Sequence, residues 1–143
     1  MSTDRVLLVD DEVEFVETLA ERLRTRGLEV EVAYTGADAI AKVKDARFDA
    51  VVLDSAMPGM DGIATLKALR ALSPDLQVML LTGQATIKTA AEATRLGAAD
   101  VLEKPTDINT LLEKIREARA HRLALTDDRA RKQVEEILKS RGW

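Results

Sequence analysis

Four apolar runs in this chain each end directly before a polar residue that can take part in chemistry. The runs and the residues that follow them are 6–9 before Asp10 and Asp11, 51–53 before Asp54, 78–81 before Thr82, and 101–103, which ends in Glu103, before Lys104. Continuous aliphatic and β-branched runs of this length predict buried parallel strands. Because ligands of such sheets bind beyond the carboxyl ends of the strands, we expect these polar residues to meet at one edge.

Helix-like patterns alternate with the strand-like runs along residues 4–121. This alternation predicts an α/β domain with a doubly wound, five-stranded parallel sheet. Thr35 and Asp38 are typical of a helix start, and Gly27 of a helix end. The faces expected to pack on the sheet are Phe15, Val16, Leu19, Ala20 and Leu23 in the first helix, Ile87, Ala90, Ala91 and Thr94 in the fourth, and Ile108, Leu111, Leu112, Ile115 and Ala118 in the fifth.

Residues 122–143 form a charged, helix-favouring tail that we separate from the 4–121 domain as a C-terminal helical extension. Apolar residues recur there with helical spacing behind residues 126–128, which predicts a new helix start. Three interpretations stay open: a loosely packed end, a contact with a second copy or another partner, and an anchor at Trp143. The recurring residues are Ala130, Val134, Ile137 and Leu138.

Composition narrows the classes of function. The 143 residues carry a formal charge of −4 and no cysteine. Disulfides and thiolate sites are therefore excluded, and no basic face is expected for nucleic acid. The first residues lack a signal-peptide pattern, and no run approaches the ~20 apolar residues of a membrane span. We predict a cytoplasmic protein that binds neither nucleic acid nor membrane.

Asp10, Asp11 and Asp54 are the strongest candidates for a metal site. Unit charges ~4 Å apart repel by roughly 4 kcal/mol at an effective dielectric near 20, so three gathered carboxylates favour a counter-ion. Mg²⁺ suits them, because it binds carboxylate oxygens together with phosphate oxygens. The simpler interpretation is that the acidic residues after the first strand only cap the following helix.

The other strand-end residues suit phosphoryl transfer. With Mg²⁺ bound, an oxygen of Asp54 can attack phosphorus in line. The Thr82 hydroxyl can donate to a phosphoryl oxygen, and the Lys104 ammonium can neutralise its charge. Each residue alone also fits an ordinary turn, strand or surface position. Ser55 is a rival acceptor without a nearby base, because His121 lies far along the last helix.

In combination these motifs resemble the receiver domain of bacterial response regulators. The resemblance covers about residues 4–121 and implies a flavodoxin-like strand order of 2-1-3-4-5. It implies a signalling domain, not an enzyme, which takes phosphate on Asp54 from a histidine kinase or phosphotransfer protein and signals to an unknown downstream protein. The motifs are Asp10-Asp11, Asp54 with Met57-Pro58-Gly59-Met60-Asp61-Gly62, Thr82-Gly83 and Lys104-Pro105. The Mg²⁺ ligands that the resemblance implies are Asp10, Asp11, Asp54 and the backbone carbonyl of Ala56.

Val101 departs from the family pattern, which usually has Tyr or Phe three residues before the lysine. The departure keeps open a phosphorylation-independent interaction module. An aspartate-nucleophile phosphatase is a further alternative. That class commonly has a second Asp two residues after the nucleophile, where this chain has Ala56.

Overall fold

Five strands and five helices alternate in the computed structural model, which describes residues 4–55, 61–83 and 87–140. The strands are β1 (Arg5–Val9), β2 (Glu29–Ala33), β3 (Ala50–Asp54), β4 (Val78–Thr82) and β5 (Asp100–Glu103). The helices are α1 (Val13–Arg24), α2 (Gly36–Asp45), α3 (Gly62–Leu72), α4 (Ile87–Arg95) and α5 (Ile108–Ser140). The strands form one parallel sheet in the order β2-β1-β3-β4-β5. The predicted fold class is confirmed.

Helices cover both faces of the sheet, so the central strands are apolar on both sides. β3 and β4 are buried at every position. Leu8 and Val52 face a cluster with α1 and α5, whereas Leu7 and Leu53 face a second cluster that includes residues of α2, α3 and α4. This arrangement accounts for the continuous apolar runs in the sequence, because a strand covered on one face would alternate.

Local signals near the helix ends behave largely as predicted. The Thr35 hydroxyl accepts a hydrogen bond of 3.0 Å from the backbone N–H of Asp38 at the start of α2. Gly27 has a φ of +90°, which suits a residue without Cβ, although it lies two residues beyond the C-cap Thr25. The peptide bond between Lys104 and Pro105 is cis.

The predicted buried face of α4 is wrong. Ile87 is 91% exposed, and Ala91 and Thr94 are also exposed. Ala93 is the residue of α4 that is buried against the second cluster. The helix consists largely of small and polar residues, so its apolar periodicity is weak and the packing of neighbouring elements decides its orientation.

α5 continues without a break from the receiver-like core into the extension. The helix start predicted at residues 126–128 is therefore wrong. The Thr126 hydroxyl donates to the carbonyl of Arg122, four residues earlier, at 3.0 Å. A threonine can satisfy its hydroxyl in this way inside a helix, so its capping preference did not mark a boundary here. The division into 4–121 and 122–143 stays a prediction.

Two arginines of α5 bind carboxylates close to the amino ends of the central strands. Asp49, which is 6% exposed, accepts from the backbone N–H of Arg5 at 2.8 Å and from Nε of Arg122 at 3.1 Å. Arg129 binds Asp75 through both of its terminal nitrogens, at 2.7 and 2.6 Å. These contacts hold the middle of α5 at the sheet edge opposite to Asp54. None of the helices in the described ranges is both long enough and apolar enough to cross a membrane.

Gly62 brings the start of α3 against the backbone that follows Asp54. A Cβ at this position would lie 2.5 Å from Cα of Ser55 and 2.7 Å from the carbonyl oxygen of Asp54. Because both neighbours are backbone atoms, a side-chain rotation cannot relieve the overlap.

We expect Gly62→Ala to lower the free energy of unfolding by roughly 1–3 kcal/mol, measured by urea denaturation. The overlap should outweigh the gain of about 0.5–1 kcal/mol that alanine has over glycine in a helix. Gly83→Ala is the control, because a Cβ there meets no atom within 4 Å. Equal stability of the two variants would contradict the proposed close approach.

Candidate functional site

The order of the strands brings four of the predicted residues to one edge. β1 and β3 are neighbours, so Asp10 lies beside Asp54 at their carboxyl ends. β4 and β5 extend the same edge, where the backbone N–H of Lys104 donates to the carbonyl of Thr82 at 2.8 Å. Asp10, Asp54 and Thr82 are almost fully buried, with exposures of 3%, 5% and 5%. The polar residues that follow the apolar runs therefore do converge.

The three predicted metal ligands form one cluster. Carboxylate oxygens of Asp10, Asp11 and Asp54 lie within 4.8 Å of one another, and Asp11 is exposed. Asp10 also supports in part the interpretation that the acidic residues cap the following helix. Its Oδ1 accepts from the backbone N–H of Glu12 at 2.9 Å, just before α1. One oxygen of Asp10 thus orders the turn, and the other faces the cluster.

Lys104 supplies a positive charge to this cluster. Its Nζ lies 3.1 Å from Oδ2 of Asp10, 3.4 Å from Oδ1 of Asp54 and 3.8 Å from Oε1 of Glu12. Burial acts to lower the Lys104 pKa, but the hydrogen bonds and charges of Asp10 and Asp54 outweigh it and raise the pKa above its ordinary value. The ammonium is therefore charged at neutral pH.

Phe15 is a site residue that the sequence pattern did not identify. The helical spacing predicts Phe15 on the buried face of α1, but its side chain is 37% exposed and its ring centroid lies 4.9 Å from Nζ of Lys104. Val16, Ala20 and Leu23 do form the buried face as predicted. The available signal was position, because an aromatic residue in the first turn after the acidic pair lies close to the strand ends.

The remaining candidates are placed as follows. The backbone N–H of Ser55 donates to the carbonyl oxygen of Leu81 at 3.0 Å. His121 lines a separate cleft with Gln77, near the amino end of β4. Ser55 and His121 therefore do not form a Ser-His couple. Val101 is half-buried beside Leu80 and packs on the second core cluster. Ala56, whose carbonyl was a predicted ligand, lies outside the described residues.

A model of the response regulator receiver domain matches residues 6–116. The chain belongs to this family. Transcriptional regulatory protein ZraR of Salmonella typhimurium is 43% identical over 116 residues, which are 81% of this chain and 26% of that protein. The chain thus spans about a quarter of the length of this curated relative.

Solved structures agree with the assignment to receiver domains. The chemotaxis protein CheY4 of Vibrio cholerae has a TM-score of 0.78 and 33% identity, over 82% of this chain and 99% of that one. A response regulator protein of Burkholderia pseudomallei has a TM-score of 0.75 and 28% identity, over 95% of this chain and 74% of that one. The crystal structure of the Burkholderia pseudomallei protein contains a phosphorylated aspartic acid, a calcium ion and citrate.

We expect Lys104→Met to lower the free energy of unfolding by roughly 1–3 kcal/mol at neutral pH, because the buried carboxylates lose a charged hydrogen-bond donor. Because the folded-state pKa of Lys104 is raised, the stabilisation that Lys104 provides is fully present below the ordinary pKa of 10.5. It is lost as the pH rises through the folded-state pKa. Urea denaturation from pH 7 upward should show a constant difference in the free energy of unfolding between wild type and Lys104→Met, and this difference should shrink only above pH 10.5.

Lys114→Met is the matched control, since Lys114 pairs with Asp100 at 3.2 Å where both side chains are partly exposed to solvent. We expect little change in stability from this substitution. If both lysine variants unfold like the wild type, the buried carboxylates do not depend on the Lys104 ammonium.

Proposed function

We propose that this receiver domain accepts a phosphoryl group on Asp54 from a histidine kinase or phosphotransfer protein in a Mg²⁺-dependent reaction. It then signals to a downstream protein through surface contacts. We assign the phosphoacceptor domain to residues 4–121 and a helical extension to residues 122–143. The observation that carries the proposal is the contact of the buried Asp54 carboxylate with Lys104, within a cluster that includes Asp10 and Asp11.

The charge balance of the cluster supports a divalent cation. Three carboxylates gather there, and the Lys104 ammonium compensates for one negative charge. Asp10, Asp11 and Asp54 would hold Mg²⁺, with the backbone carbonyl of Ala56 as a further ligand. When bound, Mg²⁺ would neutralise charge between these carboxylates and the incoming phosphoryl oxygens.

The chemical step needs an aspartate oxygen in line with the leaving group. A carboxylate oxygen of Asp54 forms a bond to phosphorus as the bond from phosphorus to the donor's imidazole nitrogen breaks. The electron pair stays on the imidazole. The Lys104 ammonium neutralises charge on the phosphoryl oxygens, and the Thr82 hydroxyl donates to one of them after transfer.

The Burkholderia pseudomallei structure supports the same chemistry in a neighbour of this fold, because that protein carries a phosphorylated aspartic acid.

The two alternatives predict different behaviour. An interaction module would bind its partner equally well without phosphorylation. Val101, in place of an aromatic residue, favours this alternative. A phosphatase would turn over phosphomonoesters, but Ala56 replaces the second aspartate of that class. We therefore propose a signalling domain that assists only its own phosphorylation and dephosphorylation.

The exposed stripe on the second half of α5 is the surface that we propose for a second copy of this chain. Val134, Ile137 and Leu138 are 51–56% exposed and follow Ala130 on one side of the helix. The uncharged Gln133 flanks the stripe on one side, and Arg131 on the other side is paired with Asp128 at 2.7 Å, which reduces like-charge repulsion between two identical stripes.

We expect wild-type protein with Mg²⁺ and acetyl phosphate to gain the mass of one phosphoryl group, because the bound cation and Lys104 stabilise charge on it. Intact-mass spectrometry measures the product. Asp54→Asn should gain none, and Thr82→Ala should still be modified but with a changed rate. Omission of Mg²⁺ should abolish the reaction.

Wild type that stays unmodified under these conditions would contradict the proposed function. A gain of mass that Asp54→Asn retains would place the acceptor elsewhere, with Ser55 as the first candidate. Rapid release of phosphate from an added phosphomonoester, lost in Asp54→Asn, would support the phosphatase alternative.

For the stripe, we expect Val134→Glu to shift a concentration-dependent dimer to monomer in sedimentation velocity, because the substitution buries a carboxylate in the contact. Lys132→Gln changes the net charge by the same amount on the opposite side of the helix and should leave the dimer intact. A wild type that remains monomeric throughout the concentration series would exclude the second copy as the occupant.

A further inference from the structure

The Lys104 ammonium is enclosed by two different kinds of partner. Asp10 and Asp54 lie on one side, at 3.1 and 3.4 Å. The ring of Phe15 lies on another side, with its centroid 4.9 Å from Nζ. The lysine side chain is only 19% exposed as a result of these contacts. An aromatic face attracts a cation within about 6 Å of its centroid, because the ring quadrupole is negative above and below the plane.

The position of Phe15 follows from the start of α1. This helix begins at Val13, three residues after Asp10, so its first turn stands over the carboxyl ends of β1 and β3. Phe15 projects there without joining the core, which explains why a large apolar side chain remains 37% exposed.

The ring also limits the space for water beside the carboxylates. Phe15, Asp10 and Asp54 line a narrow cleft of about 10 Å³ together with apolar residues of α1 and the sheet. A volume of this size is at the lower limit for a single water molecule. The same ring covers one side of the Lys104 ammonium, with its centroid 4.9 Å from Nζ.

A lysine needs such confinement more than an arginine does. Its ammonium is a compact charge on a flexible four-carbon stem, so many of its rotamers point into solvent. In Lys104 the carboxylates attract the ammonium, and the ring removes a direction in which it could leave. Restricting a long side chain to the conformation that binds lowers the entropy lost on binding.

We propose that Phe15 is a positioning residue for phosphoryl binding, which acts by holding the Lys104 ammonium over Asp54 through a cation–π contact. This inference rests on the proposed function, because the ligand of Lys104 is the phosphoryl group on Asp54. Phe15 does not touch the reacting atoms in this role. Its effect is transmitted through the aromatic face, so aromatic substitutes should replace it and aliphatic ones should not.

The test measures the affinity of the whole chain for beryllofluoride, a phosphoryl analogue, in the presence of Mg²⁺ by calorimetry. Phe15→Leu should weaken binding about 3- to 10-fold, the range expected from one partly desolvated cation–π contact. Phe15→Trp should bind as well as wild type or more tightly, because tryptophan has the strongest negative face.

Phe48→Leu is the matched control, because Phe48 also lies under a cation, Arg5, at 5.3 Å near the amino end of the sheet. It should leave beryllofluoride affinity unchanged. Ring-fluorinated phenylalanine at position 15 keeps the shape of the side chain while weakening the negative face, so affinity should fall stepwise with fluorine content. This series also tests the inference if Phe15→Leu fails to fold.

Equal affinity of wild type and Phe15→Leu would overturn the inference, as would equal loss in Phe15→Leu and Phe15→Trp or no trend with fluorine content. Wild type that binds no beryllofluoride at all would instead overturn the proposed function. The two failures are therefore distinguishable.

Discussion

One ammonium group between two buried carboxylates is the interaction on which this site depends. Asp10 and Asp54 are almost inaccessible to water, and a buried carboxylate without a partner is strongly unfavourable. Lys104 contacts both of them. The sheet makes this contact possible, because β1 and β3 are neighbours and β5 ends on the same edge. The fold thus gathers several carboxylates at one edge of the sheet, and the Lys104 ammonium compensates for part of their negative charge.

The site residues on the strand ends could be predicted from the sequence because two simple rules act together. Strands buried on both faces are continuously apolar, and parallel strands end at the same edge of the sheet. Asp10, Asp54 and Thr82 therefore stand out as the first polar residues after such runs, whereas Lys104 follows Glu103 at the end of the shorter, partly exposed β5. The start of α2 was also predictable, because the Thr35 cap involves only atoms three residues apart.

Features set by tertiary packing were not predictable in the same way. α4 offers small side chains on several sides, so its sequence does not specify that Ala93 faces the core while Ile87 faces solvent. The role of Phe15 depends on a lysine 89 positions later in the chain, a distance that no local pattern reports. α5 also runs unbroken past Thr126, and the bonds from Arg122 to Asp49 and from Arg129 to Asp75 attach it to the sheet edge on both sides of that residue.

The unbroken course of α5 has a mechanical consequence. From Arg129, whose guanidinium binds Asp75, to Ser140 the helix rises about 17 Å. A straight rod of this length turns a rotation of ~10° at its base into a displacement on the order of 3 Å at its tip. A shift in packing too small to alter the outline of the domain would thus be amplified where the rod ends.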